Sequence, residues 1–169
     1  RSEGAEINFA IQETTEKITV FTTRVDTIFG CTYLVLAPEN ELVEKLRSKI
    51  GNWSVVADYL AAVKNKTELQ RTDLNKDKTG VMLQGIKAVN PFNNKEVPVY
   101  IADYVLNAYG TGAVMAVPAH DERDWDFAHQ YNLPVQTVVV PNNTDNNQVE
   151  SVFTDDGILS DSGEFSGLA

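Results

Sequence analysis

Residues 110–128 read GTGAVMAVPAHDERDWDFA, and this stretch decides the fold prediction. Its apolar part, residues 112–117, predicts a β-strand. The part that follows predicts an α-helix at residues 121–131, bounded by Pro118 before it and Pro134 after it. The stretch therefore predicts a strand that leads through a short loop into a helix.

The rest of the chain adds more strands than helices. Strands are predicted at residues 16–23, 30–37, 80–89, 97–102 and 135–140, and helices from near Glu39 to Gly51 and from a Ser54 cap to Val63. Asn93-Asn94 predicts a hairpin between the strands at 80–89 and 97–102, and the polar run 141–148 predicts a loop. Six strands and three helices without regular alternation indicate an α+β fold. A six-stranded, barrel-like sheet with peripheral helices is favoured, because closure removes exposed sheet edges.

Length and composition fit one domain, residues 1–169, of a cytoplasmic protein. Hydrophobic residues make up 43% of the 169, and no apolar run approaches the length of a membrane span. The single cysteine, Cys31, excludes an internal disulfide and suits a reducing compartment. The net charge, 14 − 24 = −10, has the wrong sign for holding a long nucleic-acid backbone, so such contacts should be local. Because no initiator methionine is present, we expect a piece of a longer protein.

A second polar stretch, TTRVDT at residues 22–27, follows the strand predicted at 16–23. Threonine hydroxyls both donate and accept hydrogen bonds, so several together could orient a water molecule or a substrate carbonyl. Arg24 could meet a phosphate group or pair with Asp26. The alternative interpretation is a strand end with turn-forming threonine and aspartate residues.

The 110–128 stretch also contains groups that could hold a charged ligand. Asp121 and Asp124 share a face at the start of the predicted helix, where a carboxylate could bind an ammonium group. The alternative is an N-cap and a favourable charge in the first turn. His120 could be a general base, although a structural or ligand-orienting role is favoured. Met115 stands where GxGxxG requires its third glycine, so a dinucleotide site is not indicated, and no metal site is expected.

The two polar stretches together resemble the editing motifs of the class I synthetases for leucine, valine and isoleucine. Their details are similar to the leucine type, in which a methionine precedes Ala-Val-Pro and an aromatic residue follows the acidic run. The opening RSEGAEI also resembles the segment that enters the leucyl-tRNA synthetase editing insertion. The resemblance to the bacterial-type editing domain covers nearly the whole chain. Val25 departs from it, because the family usually has a conformationally restricted proline there.

The resemblance implies a role for each matching residue. Asp124 is similar to the aspartate that binds the α-amino group of the misattached amino acid, and Thr27 to the threonine that excludes leucine. Thr22 and Thr23 match threonines of the hydrolytic site, so these two and Asp124 are the expected catalytic residues. Arg24 matches an arginine near the terminal tRNA phosphate. The other matches hold the terminal adenosine and the amino acid or form the pocket wall: Leu106, Tyr109, Met115, His120, Asp121 and, at the wall, Val117.

The function implied by the resemblance is post-transfer editing, in which a leucine-tRNA ligase hydrolyses misacylated tRNA(Leu) and spares leucyl-tRNA. A synthetic site separates amino acids that differ by one methylene by only about 1–3 kcal/mol, so a second, hydrolytic site multiplies selectivity. The expected partners are the 3′-terminal aminoacyl-adenosine of tRNA(Leu) and the rest of the synthetase. We expect a monomeric domain with no membrane partner and no cofactor, since ATP and Mg would serve the synthetic site. Alternatives are a valyl- or isoleucyl-type editing domain, a non-catalytic tRNA-binding module and an unrelated acidic small-molecule hydrolase.

Overall fold

A six-stranded sheet is the largest element of the fold. The structure is a computed structural model that describes residues 3–73, 75–142 and 151–169. The strands of the sheet are β1 (Ala5–Ile11), β2 (Lys17–Thr22), β3 (Tyr33–Leu36), β4 (Gly80–Val89), β5 (Glu96–Ala102) and β6 (Ala113–Ala116). Their spatial order is β2-β1-β4-β5-β3-β6, with β3 parallel to β5 and the β1–β2, β1–β4 and β4–β5 pairs antiparallel.

The sheet confirms the six-stranded α+β prediction, but it does not close into a barrel. Its end strands, β2 and β6, are not neighbours of each other in the sheet. A closed barrel of six strands would need a sixth pairing, between β6 and β2, in addition to the five that the sheet contains. The edges are instead kept short, since β6 has four residues and β2 has six, and short edge strands offer little template for pairing with another chain.

Alternating burial fixes the pairing of β1 with β2. Phe9 of β1 lies opposite Ile18 of β2, and Ile7 lies opposite Val20. Phe9, Ile18 and Val20 are 0% exposed, whereas the residues between them reach solvent. A shift of the register by one residue would move these side chains to the solvent face, so burial specifies the pairing. Strand β1 was not predicted from the sequence.

The predicted hairpin between β4 and β5 is confirmed. Asn94 adopts a left-handed backbone conformation with φ of 57°, which asparagine tolerates in tight turns. The pairing then shifts between Met82 and Lys87, and Gly85 lies inside that irregularity with φ of 86°. A glycine there accommodates the bulge without a Cβ penalty.

Within the described residues, four short α-helices accompany the strands: α1 (Glu41–Lys45), α2 (Trp53–Val63), α3 (Glu68–Thr72) and α4 (Glu122–Gln130). The prediction of a Ser54 cap was wrong, because α2 begins at Trp53 with Asn52 at the N-cap position. The Asn52 side chain bonds Met82 O and the Gln84 N–H rather than capping the helix, so contacts with β4 set where α2 begins. The first helix is also shorter than predicted, since α1 ends at Lys45 and a separate 3₁₀ turn follows.

The chain divides into two compact units. One runs through Thr23 and from Tyr33 to Met115, and it contains α1 to α3 and nearly all of the large sheet. The other comprises Arg24–Thr32 and the described residues from Ala116 onward. It contains α4, two 3₁₀ helices (Val25–Gly30 and Gly163–Phe165) and an antiparallel pair, β7 (Val139–Val140) and β8 (Ile158–Leu159). Among the described residues, no helix combines the length and apolar character needed to cross a membrane.

Two strand predictions near the second unit were too long. The strand predicted at 30–37 begins only at Tyr33, because the backbone before it winds into the 3₁₀ helix that ends at Gly30. Cys31 follows that helix, donates its N–H to Ile28 O and is buried. The strand predicted at 135–140 shrinks to β7. Most of the loop predicted at 141–148 lies outside the described residues.

Candidate functional site

The TTRVDT stretch changes from strand to 3₁₀ helix within six residues. Thr22 ends β2 in the first unit, and Thr23 follows it at the surface. Arg24 begins the second unit's part of the stretch, and the 3₁₀ helix starts at Val25. Proline is favoured at the first position of a helix, where its missing N–H costs nothing. Val25 is the first residue of the 3₁₀ helix, so the helix begins at this position with valine in place of the proline that is usual in the family.

Arg24 pairs with Asp26, which was one of the two options open from the sequence. Its Nε lies 3.0 Å and 3.2 Å from the two carboxylate oxygens, and Nη2 lies 2.9 Å from Oδ2. Nη1 donates to the carbonyl oxygen of Thr154 at 3.1 Å. The Asp26 hydrogen bonds raise the pKa of Arg24, and the Coulombic effect of Asp156 adds to that rise. The guanidinium is thus charged and held in one orientation.

Thr27 is buried inside the second unit's 3₁₀ helix and is 0% exposed. Its hydroxyl donates to Arg24 O at 2.8 Å, and its N–H donates to the same oxygen at 3.1 Å. The hydroxyl is therefore used within the 3₁₀ turn, and the Cγ2 methyl is the part of the side chain that could limit the size of a neighbouring group.

Asp121 and Asp124 have different structural roles at the start of α4. Asp121 is the N-cap, and its carboxylate accepts hydrogen bonds from the N–H groups of Arg123 at 2.9 Å and Asp124 at 3.1 Å. Asp124 lies in the first turn, is only 5% exposed, and accepts the Val117 N–H at 3.0 Å through Oδ2. A carboxylate is favoured there because the N-terminal end of a helix carries positive partial charge. The N-cap interpretation of Asp121 is therefore correct.

His120 uses both ring nitrogens for contacts with the backbone. Nε2 accepts from the N–H groups of Val138 at 3.0 Å and Val139 at 3.2 Å, so the proton must be on Nδ1. Nδ1 then donates to Phe153 O at 2.8 Å. Burial, opposed by the Phe153 hydrogen bond, lowers the pKa of His120 and favours this neutral form. This geometry favours a structural role for His120 over that of a general base.

The remaining predicted residues belong to the first unit. Tyr109 is 67% exposed, and its hydroxyl donates to Glu68 at 3.4 Å, whereas Leu106 is half-buried and Met115 is buried in β6. Gly110 and Gly112, with φ of 57° and 71°, make the turn that leads into β6. An open cleft of about 540 Å³ in this unit includes Gly110 and Thr111 but none of the predicted site residues.

Comparison with known proteins decides the family. The family model described as "Leucyl-tRNA synthetase, editing domain" matches residues 1–169. The chain belongs to this family. A solved relative is the LeuRS of Agrobacterium radiobacter K84 (agnB2), described as a ternary complex of LeuRS, tRNA and LeuAMS, with a TM-score of 0.69 and 35% sequence identity. The match covers 89% of this chain and 17% of that chain, so the chain spans about a sixth of the relative's length.

As a leucyl-tRNA synthetase editing domain, the chain belongs to a family defined by editing, and the leucine type is favoured over the valine and isoleucine types. Within the second unit of the editing domain, hydrogen bonds involve the first motif, the residues that follow it and the second motif. The Thr32 N–H donates to Ala116 O at 3.2 Å. Arg24 and His120 bond neighbouring carbonyls, those of Thr154 and Phe153. The roles of Thr22, Thr23, Leu106, Tyr109 and Met115 in the first unit stay predictions, and so do the ligand-binding roles of Arg24, Thr27, Val117, His120, Asp121 and Asp124.

The residues that the sequence did not reveal in this editing domain act through their backbone. Phe153 and Thr154 supply carbonyl acceptors. Every residue carries the same backbone carbonyl whatever its side chain, so residue type gives no sign of this role. The contact between Thr154 O and Arg24 spans 130 positions and that between Phe153 O and His120 spans 33, so no local pattern encodes them. Among the described residues, no group of three or more His, Cys, Asp or Glu residues could hold a metal ion.

Proposed function

We propose that this chain performs post-transfer editing by hydrolysing the ester that joins a non-cognate amino acid to the 3′-terminal adenosine of tRNA(Leu). In that reaction a water oxygen attacks the ester carbonyl carbon, and the bond to the ribose oxygen breaks. The ribose oxygen takes up a proton, which leaves free amino acid and uncharged tRNA. Family membership supports the activity class, and the environment of Asp124 supports the mode of substrate binding.

The buried and oriented carboxylate of Asp124 is the observation that carries the proposal. The carboxylate lies in the first turn of α4 and is only 5% exposed. Its bond to the Val117 N–H fixes the orientation of the carboxylate. A fixed, poorly hydrated carboxylate binds an ammonium group through a charge-assisted hydrogen bond, which is stronger than a neutral one. Misacylated tRNA presents such an ammonium group next to the scissile ester.

Water activation is assigned to hydroxyl and backbone groups rather than to a histidine. Both nitrogens of His120 are already bonded to the backbone. Thr22 and Thr23 are the proposed groups that orient the water and stabilise the oxyanion, because hydroxyls can donate and accept. An ester is already activated, so an oriented water can suffice without a covalent nucleophile. A ribose hydroxyl of the substrate is the proposed assistant.

Leucine is spared, in this proposal, because Thr27 restricts the space available to its branched side chain. Thr27 is fully buried and its hydroxyl is held by Arg24 O. A leucine γ-branch could reach this position only if neighbouring atoms moved, whereas a smaller or unbranched side chain would need less space. Exclusion by packing is consistent with the tight fit of protein interiors.

The domain is proposed to work in the cytoplasm as part of a leucine-tRNA ligase, with ATP and Mg used elsewhere in that enzyme. Its net charge of −10 fits contacts limited to the terminal nucleotide. The test is deacylation of tRNA(Leu) mischarged with a non-cognate amino acid, measured with the full-length synthetase and with the 169-residue chain. Correctly charged leucyl-tRNA serves as the control. The proposal would be refuted if mischarged tRNA lost its amino acid no faster with the synthetase than in buffer alone.

A further inference from the structure

Two consecutive residues near the C-terminal end contact both editing motifs. We call residues 153–154 the strap. The Phe153 N–H donates to Ala119 O at 2.9 Å, and Phe153 O accepts from His120 Nδ1 at 2.8 Å. Thr154 O accepts from Arg24 Nη1 at 3.1 Å. Three hydrogen bonds over two residues therefore attach the strap to residues of both motifs, all within the second unit.

Arg24 is oriented from two directions. The Asp26 carboxylate engages Nε and Nη2 along one edge of the guanidinium, and the strap engages Nη1. A planar guanidinium with contacts on separate edges cannot rotate without breaking at least one of them. The ion pair is partly exposed, with side-chain exposures of 32% for Arg24 and 40% for Asp26. Its importance therefore lies in orientation, because partly exposed ion pairs contribute little stability.

His120 in turn fixes the strap. The imidazole is 5% exposed and connects Phe153 O with the N–H groups of Val138 and Val139, where β7 begins. A buried histidine with both nitrogens satisfied has one tautomer and one ring orientation. The strap carbonyls are consequently anchored before any ligand arrives, and so is the arginine that bonds to one of them.

We propose that Asp26 and the strap are positioning elements that hold Arg24 ready for the terminal phosphate of tRNA. His120 contributes by fixing the strap. The ligand half of this inference rests on the proposed function, whereas the mechanical half concerns only contacts of the folded chain. Preorganisation of this kind lowers the ordering cost of binding, since the guanidinium does not have to be immobilised by the substrate.

The mechanical half is tested by amide hydrogen exchange of the 169-residue chain, without tRNA. Loss of Arg24 should speed exchange of the Phe153 amide about tenfold, because the strap loses one of its anchors. The variant is Arg24→Ala, and Asp155→Asn is the matched control, which removes a charge next to the strap but none of its described hydrogen bonds. Unchanged exchange in Arg24→Ala, or equal acceleration in the control, overturns the inference.

A second pair of variants separates the two contacts of His120. Asparagine can place its amide N–H near the position of Nδ1, and so keep the bond to Phe153 O. Glutamine can place its carbonyl near Nε2, and so keep the acceptor for Val138 and Val139. His120→Asn should retain slow exchange at Phe153, whereas His120→Gln should lose it. The reverse order would overturn the role of His120.

The ligand half is tested by a mutant cycle in the full-length synthetase with mischarged tRNA. Asp26→Asn should raise KM about tenfold with little change in kcat, because Arg24 would bind the phosphate equally before and during reaction. The double variant Arg24→Ala/Asp26→Asn should match Arg24→Ala within about twofold, since Asp26 acts through Arg24. This half is overturned if the effects of the two single substitutions multiply in the double variant, or if Asp26→Asn has the wild-type KM. Failure of the wild-type enzyme to deacylate would instead refute the proposed function, and the exchange experiment would still decide the mechanical half.

Discussion

Replacing Asp124 with asparagine separates its contribution to folding from its proposed contribution to binding. The native carboxylate accepts the Val117 N–H at 3.0 Å in a buried setting. The asparagine side-chain oxygen can accept the same N–H, so Asp124→Asn preserves this bond while it removes the charge. Asp124→Ala removes both and leaves the Val117 N–H without that acceptor.

The magnitudes for the two variants differ accordingly. A hydrogen bond to a charged group is worth about 1.5–3 kcal/mol, so Asp124→Asn should lower kcat/KM for mischarged tRNA by roughly 10- to 150-fold. Its melting temperature should stay within about 4 °C of the wild type, which corresponds to about 1 kcal/mol for a domain of this size. Asp124→Ala should also lose about 1–3 kcal/mol of stability from the unsatisfied buried N–H, or roughly 2–12 °C.

The assay combines thermal unfolding of the chain with single-turnover deacylation by the full-length synthetase. Both variants should deacylate mischarged tRNA at least about tenfold less efficiently than the wild type, but only the alanine variant should melt early. An asparagine variant that melts like the wild type and deacylates at the wild-type rate would show that the charge of Asp124 does not bind substrate. If both variants melted equally early, the asparagine oxygen would not be replacing the carboxylate oxygen as the acceptor of the Val117 N–H.

Three other outcomes follow from the geometry. Asp121→Ala should cost about 0.5–2 kcal/mol of stability by uncapping α4, whereas Asp121→Asn, also a good N-cap, should unfold like the wild type in denaturant; equal losses would contradict the capping role. Because burial lowers the pKa of His120 below 6.5, the unfolded chain binds the proton first as pH falls. The contribution of neutral His120 to the free energy of unfolding should therefore be complete above about pH 6.5 and decline as the pH falls from there towards the lowered pKa. Denaturant unfolding measured over a range of pH should show a flatter dependence for His120→Gln. Thr27→Ala should let the synthetase hydrolyse its own leucyl-tRNA, and an unchanged half-life of leucyl-tRNA would contradict leucine exclusion by Thr27.

Local signals predicted the elements around the second motif well. Helix α4 was predicted at 121–131 and extends over Glu122–Gln130, because Asp121 is a capping residue that acts on its immediate neighbours. The five-residue α3 was missed, being too short for a hydrophobic period. Its capping box, Thr67 with Gln70, was the available signal. The strand β1 also carried a signal, since its inward residues alternate.

Features fixed by distant contacts were harder to predict. The start of α2 depends on bonds between Asn52 and β4, which lies some thirty positions away. In the candidate site, pairing of Arg24 with Asp26 was foreseeable from their spacing, but the Thr154 carbonyl was not. The sequence therefore identified the side chains of the motifs, whereas the backbone groups that orient them emerged only from the fold.

The position of Cys31 offers a direct way to observe motion in the first motif. It is the only thiol in the chain, is 6% exposed, and its N–H closes the 3₁₀ helix that contains Thr27. Alkylating reagents attack an accessible thiolate, so modification must await opening of this segment. The labelling rate of the unmodified domain therefore measures how often the segment opens. Comparing that rate with and without an aminoacyl-adenosine ligand would reveal whether substrate tightens the segment, with no added probe.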